Sequence, residues 1–430
     1  MSISPEAPWP RPCSRWRQRP LNVQPWRSFT SSSRCPGEAS FDSPLRPLAL
    51  VTGEASGDLI ARDALAMLIR SVPGLRVEGV GGAALAALGM DCLASSHALA
   101  VRGYVEVLQR LPALLSLRAR LVERWSQLPP SLFLGVDAPD FNLGLESRLR
   151  ARGTPTAHLV SPSIWAWRPE RLEKIARAVD HMLCLFPMEP ALYATTRVQA
   201  HYVGHPLADL VPERLSPEDA RRALGLSTAL SQPVLALLPG SRQSELSRLG
   251  PIFLETAERF SRSHQLILPA ASAEARRQIE SLPAYPRLRD LGLRLIGPES
   301  PLPARPASHL ALEAADLALV ASGTATLEAA LFEVPQVVAY QVPWVTEQLM
   351  RRKAIVQHVS LPNLLLQASW VPELLQDRCT PDLLARALQD WQDQPSRIQD
   401  YQSVCRSLLL DLRQGAAARV AEVVAGLLRP

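Results

Sequence analysis

Leu48-Ala-Leu-Val-Thr52 runs without a break into Gly53-Glu-Ala-Ser-Gly-Asp58. An apolar run that does not alternate reads as a strand covered on both faces, and the small residues after it read as a turn. Beyond the turn, Leu59, Ala61, Leu65, Leu68 and Ile69 fall at helical spacing to about residue 70. Strand, turn and helix in that order make one βα unit, and the unit recurs. Residues 76–80 end in Gly81-Gly82, 131–136 in Asp137, 156–160 in Ser161-Pro-Ser163, and 182–186 in Pro187. Residues 204–209 and 211–217 break the pattern. It then restarts with 233–238, 265–268, 293–296, 317–320 and 336–339, each closed by proline, glycine or small residues. Strands alternating with helices give an α/β fold with parallel sheets. The break near residue 210 makes it two Rossmann-like halves.

The expected organisation is an extension at 1–45, a first Rossmann-like domain at 46–207 and a second at 208–390. Helices at 391–430 are expected to cross back and brace the first domain. A chain of 430 residues exceeds what one core usually supports. The extension carries Arg11, Arg15, Arg17, Arg19, Arg27 and Arg34, a serine-rich run at 28–33 and few acids. That composition fits an organellar transit peptide, or a disordered tail read from an upstream start.

Charge narrows the partners. Lys174 and Lys353 are the only lysines, so 44 of the 46 cations are arginine. Arginine forks suit a phosphate-bearing ligand or an anionic membrane surface. Zinc-finger spacing and aromatic RNA-binding strands are missing, which argues against nucleic acid. Cys13, Cys35, Cys92, Cys184, Cys379 and Cys405 lie scattered without a C-x-x-C, as expected in a reducing compartment. The most apolar stretch, 310–332, contains Glu313, Asp316 and Glu328 and reads as strand plus helix rather than a membrane span.

In open α/β sheets, ligands sit outside the carboxyl ends of the strands, where nearly every polar motif of this chain falls. In Pro239-Gly-Ser-Arg242, a strand-to-helix turn, Gly240 lets backbone approach a ligand, and beyond Ser241 a helix beginning near Ser244-Glu245 offers free N–H groups that suit phosphate. Arg242 adds a fork for a diphosphate. The plainer reading is a capped helix with a surface arginine. In the stretch 322–328, Ser322, Gly323 and Thr324 form a second such turn, with Glu328 placed to accept from ribose hydroxyls; an N-capped helix is again the plainer reading. Two phosphate-compatible turns in one half favour a nucleotide diphosphate. Asp137 and Asp140 follow a buried strand, where partial desolvation suits a carboxylate to general-base work. A turn around Pro139 accounts better for Asp140 than for Asp137. Paired acids also suit a metal, but no histidine or third acid stands at ligand spacing, so none is expected.

Trp165, Trp167 and Arg168 end another strand and could stack on a sugar and hold phosphate, although packing is the commoner fate of tryptophan. His205, in Gly204-His-Pro206, reads alone as a satisfied structural histidine. Residues 103–124 form a helix apolar around most of its circumference, with Arg110, Arg118, Arg120 and Arg124 interspersed. It reads as a surface for membrane or acyl chains, or equally as a core helix.

Taken in order, the motifs resemble the lipid-A-disaccharide synthase family, glycosyltransferases of the GT-B type with two Rossmann-like domains facing across a cleft. The matching text is Gly53-Glu-Ala-Ser-Gly-Asp58, Gly103-Tyr-Val-Glu-Val-Leu108, Asp137-Ala-Pro-Asp-Phe-Asn142, Val160-Ser-Pro-Ser-Ile-Trp-Ala-Trp-Arg168, Gly204-His-Pro206, Leu237-Leu-Pro-Gly-Ser-Arg242, Ala321-Ser-Gly-Thr-Ala-Thr-Leu-Glu328 and Val359-Ser-Leu-Pro-Asn363. The resemblance covers about residues 48 to 390. It implies transfer of a diacylglucosamine from its UDP donor to the 6-hydroxyl of a diacylglucosamine 1-phosphate, with inversion, giving a β-1,6 disaccharide phosphate and UDP. Carried over by motif, Asp137 is the base, Arg242 and Asn363 are UDP contacts, and Glu54 and Ser56 face a sugar. Glu328 as ribose ligand is a looser analogy with GT-B enzymes. Trp165, Trp167, Arg168 and His205 fall on the acceptor or sugar side.

No cofactor is implied. The partners are the two lipid substrates and a membrane surface, with a homo-oligomer left open. The expected place is the cytoplasmic face of a bacterial inner membrane, or an organelle if 1–45 is a transit peptide. The family usually has an arginine where Ala83-Ala-Leu-Ala-Ala87 stands, a methionine at Arg102, and a basic residue at Gln341. These departures fall on acceptor-phosphate contacts and acyl-chain fit, not on the UDP half. Two rival readings are a UDP-N-acetylglucosamine epimerase or hydrolase on the same fold, and a non-catalytic membrane-surface scaffold. The apolar helix counts against the first, and intact Asp137, Arg242 and Asn363 against the second.

Overall fold

A computed structural model describes residues 46–53, 55–99, 104–167, 170–228, 232–298, 305–342 and 358–428. The extension at 1–45 lies outside them. Among the described residues thirteen strands form two sheets, every pairing parallel. In the first sheet β1 (Leu48–Thr52), β2 (Val77–Gly81), β3 (Asp91–Ser95), β4 (Leu132–Val136), β5 (Thr156–Leu159), β6 (His181–Cys184) and β7 (Gln199–Tyr202) lie in the order β3-β2-β1-β4-β5-β6-β7. In the second, β8 (Val234–Leu238), β9 (Gln265–Pro269), β10 (Arg294–Ile296), β11 (Leu317–Ala321), β12 (Gln336–Tyr340) and β13 (Glu373–Leu375) lie in the order β10-β9-β8-β11-β12-β13.

The central strands are the apolar runs of the sequence. β1, β4, β5, β8 and β11 are buried at every residue, because helices cover both faces. Leu48, Leu50, Leu132, Leu134, Ala157 and Leu159 face one hydrophobic layer, and Ala49, Val51, Val80 and Phe133 face the other. The strands without a sequence signal, β3, β7 and β13, are all edges. β3 and β7 are covered only in part and carry polar residues, so no apolar run marks them.

In each sheet the order reverses between two neighbours, β1 beside β4 and β8 beside β11. Chain leaving their carboxyl ends departs to opposite sides and opens a crevice there. The helices that matter for it are α1 (Ala55–Ser71), α2 (Tyr104–Gln127), α3 (Pro139–Arg150), α4 (Pro206–Leu210), α5 (Gln243–Glu258), α6 (Thr324–Leu331) and α7 (Leu361–Leu366). Three helices close the chain: α8 (Pro381–Gln392), α9 (Pro395–Leu412) and α10 (Ala416–Leu428).

The boundary expected at residue 390 falls inside α8. Tyr401 and Cys405 of α9 pack into the core of the second sheet, so the chain has not yet crossed there. It crosses at Arg413–Gly415, where Gly415 adopts a positive φ of 68°. Val420, Ala421, Val424 and Ala425 of α10 then pack on Ala61, Ala64, Leu65 and Leu68 of α1. The crossing is pinned by Asp209, which accepts from the Gly415 and Ala416 N–H groups, and by Arg413, which donates to the Ala208 and Val211 carbonyls.

Candidate functional site

At the reversal of the first sheet, the turns after β1 and β4 touch. A Cβ at Gly53 would lie 2.0 Å from that of Ala138, so only glycine fits. Asp137 and Ala138 adopt left-handed φ values of 53° and 44°, and Val160, at the end of neighbouring β5, has φ 78°. Such conformations cost on the order of 1–3 kcal/mol each, most of all for a β-branched residue, and gather where function holds them in place. Here the hold is visible. The Asp137 N–H donates to the Leu159 carbonyl at 2.9 Å. Asn142, fully buried on α3, donates through Nδ2 to the Asp137 carbonyl at 2.8 Å and the Val51 carbonyl at 3.3 Å.

The two aspartates thereby separate. Asp140 is exposed in the first turn of α3 and pairs with Arg171 at 2.5 Å. Asp137 is half-buried, and its carboxylate has no hydrogen-bond or ion-pair partner among the described residues.

The reversal of the second sheet carries Gly240, Ser241 and Arg242 after β8, and Ser322, Gly323 and Thr324 after β11. Gly240 has φ 110°, and a Cβ there would strike the Glu245 side chain at 2.5 Å. Glu245, one turn into α5, accepts from the Ser241 and Arg242 N–H groups at 3.1 and 3.2 Å and from Arg242 Nη1 at 3.2 Å. An anion thus already occupies the donors that suit a phosphate. The Arg242 side chain is 55% exposed, its one ion pair among the described residues being this local contact. Gly323 and Thr324 are exposed at the start of α6, where no side chain caps the helix. Ser322 Oγ donates to the Val359 carbonyl at 3.0 Å and so fixes the neighbouring loop. Glu328 is largely enclosed; burial pushes its carboxyl up, and a Ser308 hydrogen bond holds it back.

The pattern of the lipid-A-disaccharide synthetase family matches residues 48–426. The chain belongs to that family. It is a glycosyltransferase. The lipid-A-disaccharide synthase of Thiobacillus denitrificans is 45% identical over 379 residues, which cover 87% of this chain and 98% of that protein. The synthase of Neisseria meningitidis serogroup B is 43% identical over 386 residues, covering 89% and 97%. These relatives are bacterial, which gives an organellar address no support.

Solved structures carry the fold further. A glycotransferase of kitacinnamycin superposes with a TM-score of 0.58 at 16% identity, covering 89% of this chain and 99% of that one. A ugt transferase from Siraitia grosvenorii, solved in complex with UDP, gives 0.54 at 12%, covering 89% and 100%. The fold is the GT-B pairing of two Rossmann-like domains. The UDP-GlcNAc 2-epimerase of Neisseria meningitidis gives 0.56 at 12% identity, covering 89% and 100%, a likeness of fold alone. Membership of the synthetase family therefore disfavours both the epimerase and the scaffold readings.

Several residues of this family member have other duties than their motifs suggest. Asn363 is 1% exposed, and its amide is committed to Val371 and Glu373. It braces the loop instead of offering its side chain to a ligand. Glu373, unnoticed in the sequence, is the hub of that brace: it accepts from the Val359 and Ser360 N–H groups and from Ser360 Oγ as well. Gln341 donates to the Gln376 and Cys379 carbonyls and is turned inward. Asp58 was also missed. It accepts from Thr52 Oγ1 and Ser96 Oγ, and Gly82 must lack a Cβ to make room for it, so one buried carboxylate ties the turns after β1, β2 and β3. Trp165 is half-buried in a helical turn, Ile164–Trp167. Glu54 and Arg168, with the side chains of Ser56 and Trp167, lie outside the described residues.

His205 is 7% exposed, stacks on Phe186 and caps α4 by accepting from the Leu207 N–H, so its placement on the sugar side gives way to a structural role. Burial lowers its pKa from 6.5 to about 4. Between those values the unfolded chain binds more protons than the folded one. Stability that is complete above pH 6.5 is therefore lost as the pH falls toward about 4, by up to roughly 3 kcal/mol from this group. His205→Asn keeps a cap acceptor without the titration. Its unfolding midpoint is expected to fall less on acidification than that of the parent, which calorimetry across this pH range reads directly.

Proposed function

We propose that the chain joins UDP-2,3-diacylglucosamine to 2,3-diacylglucosamine 1-phosphate across the crevice between its two sheets, releasing UDP. One observation carries the reading: a carboxylate without a partner among the described residues, Asp137, on a strained turn at one reversal point, with an arginine and two helix starts at the other. Asp137 takes the proton from the acceptor 6-hydroxyl as that oxygen attacks the anomeric carbon, which inverts because the leaving diphosphate departs from the opposite face. Arg242, with the starts of α5 and α6, meets the charge that grows on the diphosphate. Glu328 suits the ribose, and Asn363 acts through the loop that it braces. Incubating purified protein with both lipids is expected to yield the disaccharide phosphate by mass spectrometry; recovery of free sugar or an epimer instead would replace transfer with the rival chemistry.

The lipid substrates call for a membrane-facing surface, and α2 supplies the best one. Leu111 and Leu115 are 40% and 46% exposed, with exposed Arg120 nearby in sequence. Two of the four arginines expected there turn inward. Arg118 lies over the Phe141 ring and donates to the Asp140 carbonyl, while Arg124 pairs with Glu78, which also accepts from Trp125. α2 is thus part core and part surface, and the proposed contact is its outer edge. Among the described residues no helix is long and apolar enough to cross a membrane, so attachment would be peripheral. Co-sedimentation with anionic liposomes is expected to drop in Leu111→Ser/Leu115→Ser; unchanged binding would move the contact elsewhere.

A further inference from the structure

Beneath the Asp137 turn lies a buried pair that the proposed chemistry leaves unused. Glu146, about two turns into α3, and His158, on β5, are both 0% exposed, with Oε1 and Nδ1 2.6 Å apart. Gly135 of β4 passes beside both: a Cβ there would come within 2.3 Å of Glu146 Oε1 and 3.1 Å of His158 Nδ1. Glu146 Oε2 and His158 Nε2 are buried without hydrogen-bond partners among the described residues. A pair like this is a poor device for stability alone. Desolvation offsets the attraction, and apolar side chains of similar volume usually serve as well. Burial pulls the imidazole down, yet the Glu146 carboxylate and the Asp137 charge outweigh it and raise the His158 pKa.

Attachment supplies the reason for the pair. The carbonyl that holds the Asp137 N–H belongs to Leu159, the residue after His158 on β5. The amide that holds the Asp137 carbonyl belongs to Asn142, one turn before Glu146 on α3. The two elements that grip the left-handed residue are therefore themselves joined by the Glu146–His158 contact. Taking Asp137 as the base, we propose that Glu146 and His158 are positioning residues for the transfer, cross-bracing β5 and α3 so that the Asp137 carboxylate stays at its attacking angle. A short charged hydrogen bond has one length and one direction, whereas apolar packing tolerates small slips. A misplacement of about 1 Å costs on the order of 100-fold in rate.

The test is a kcat-against-KM comparison of His158→Leu, His158→Asn and Glu146→Gln, with UDP affinity and the thermal midpoint measured alongside. His158→Leu is expected to lower kcat by about 10- to 100-fold while both KM values and UDP affinity hold. His158→Asn, whose amide can still donate to Glu146, should recover much of the loss. Added to Asp137→Asn, His158→Leu should cost nothing further, because the residue that it positions is already disabled. Should His158→Leu fail to fold, Glu146→Gln, which keeps the shape but takes the charge off the bond, carries the kcat test with a smaller expected loss. Full turnover in folded His158→Leu, or in Glu146→Gln where His158→Leu does not fold, or a loss confined to KM or UDP affinity, overturns the positioning role. If Asp137→Asn itself stays active, the base assignment and this inference fall together. If Asp137→Asn is dead while the pair variants run at parental speed, only the inference falls.

Discussion

Asp137→Asn is expected to lower kcat by about 10²–10⁴-fold, the range for removing a general base, while UDP binding stays intact. The exchange keeps size and backbone preference: asparagine tolerates the left-handed φ of 53° as readily as aspartate, so the Leu159 and Asn142 hydrogen bonds persist. What disappears is the capacity to take a proton. Asp140→Asn is the internal contrast. It removes only an exposed pair with Arg171 and is expected to leave turnover near parental, since such pairs contribute little. Steady-state rates of disaccharide formation, with UDP titrations by calorimetry, read both variants. Parental turnover in Asp137→Asn would end its assignment as the base.

Arg242→Ala is expected to weaken UDP binding by about 10- to 100-fold, the loss for charge-assisted hydrogen bonds to a diphosphate at 1.5–3 kcal/mol. The loss should be much smaller for uridine, which has no phosphate to engage. Glu245 sharpens the contrast, because its carboxylate sits on the same N–H groups and the same guanidinium. A diphosphate approaching that turn meets Glu245 as a competitor, so Glu245→Gln should hold UDP at least as tightly as the parent, even though it blunts the start of α5. If Arg242→Ala binds UDP unchanged, the diphosphate must lie at Gly323 and Thr324 instead.

Both predictions rest on residues that the sequence put forward, and it preferred Asp137 to Asp140 only through a turn around Pro139 and the family motif. The backbone sets the two apart physically: Asp137 is held left-handed with no carboxylate partner among the described residues, while Asp140 begins a helix and reaches Arg171. Asn363 shows the opposite outcome, a motif residue whose side chain is spent on Val371 and Glu373. His205 likewise caps a helix. A motif marks where chain and ligand are shaped together, but it does not separate the residue that touches from the residue that braces.

Sequence by itself determined the two-sheet α/β plan, because a strand covered by helices on both faces is largely apolar, and β4, β8 and β11 are so throughout, β1 and β5 departing from it only at Thr52, Thr156 and His158. It also marked the turns proposed as the working ones, since small and polar residues cluster where those runs stop. Tertiary structure alone decided the edges β3, β7 and β13, the inward turn of Arg118 and Arg124, the crossing at Arg413–Gly415 and the Glu146–His158 brace. Each of these depends on what a residue meets from elements far away in the chain, and local periodicity carries no record of a partner 12, 46 or 205 positions distant.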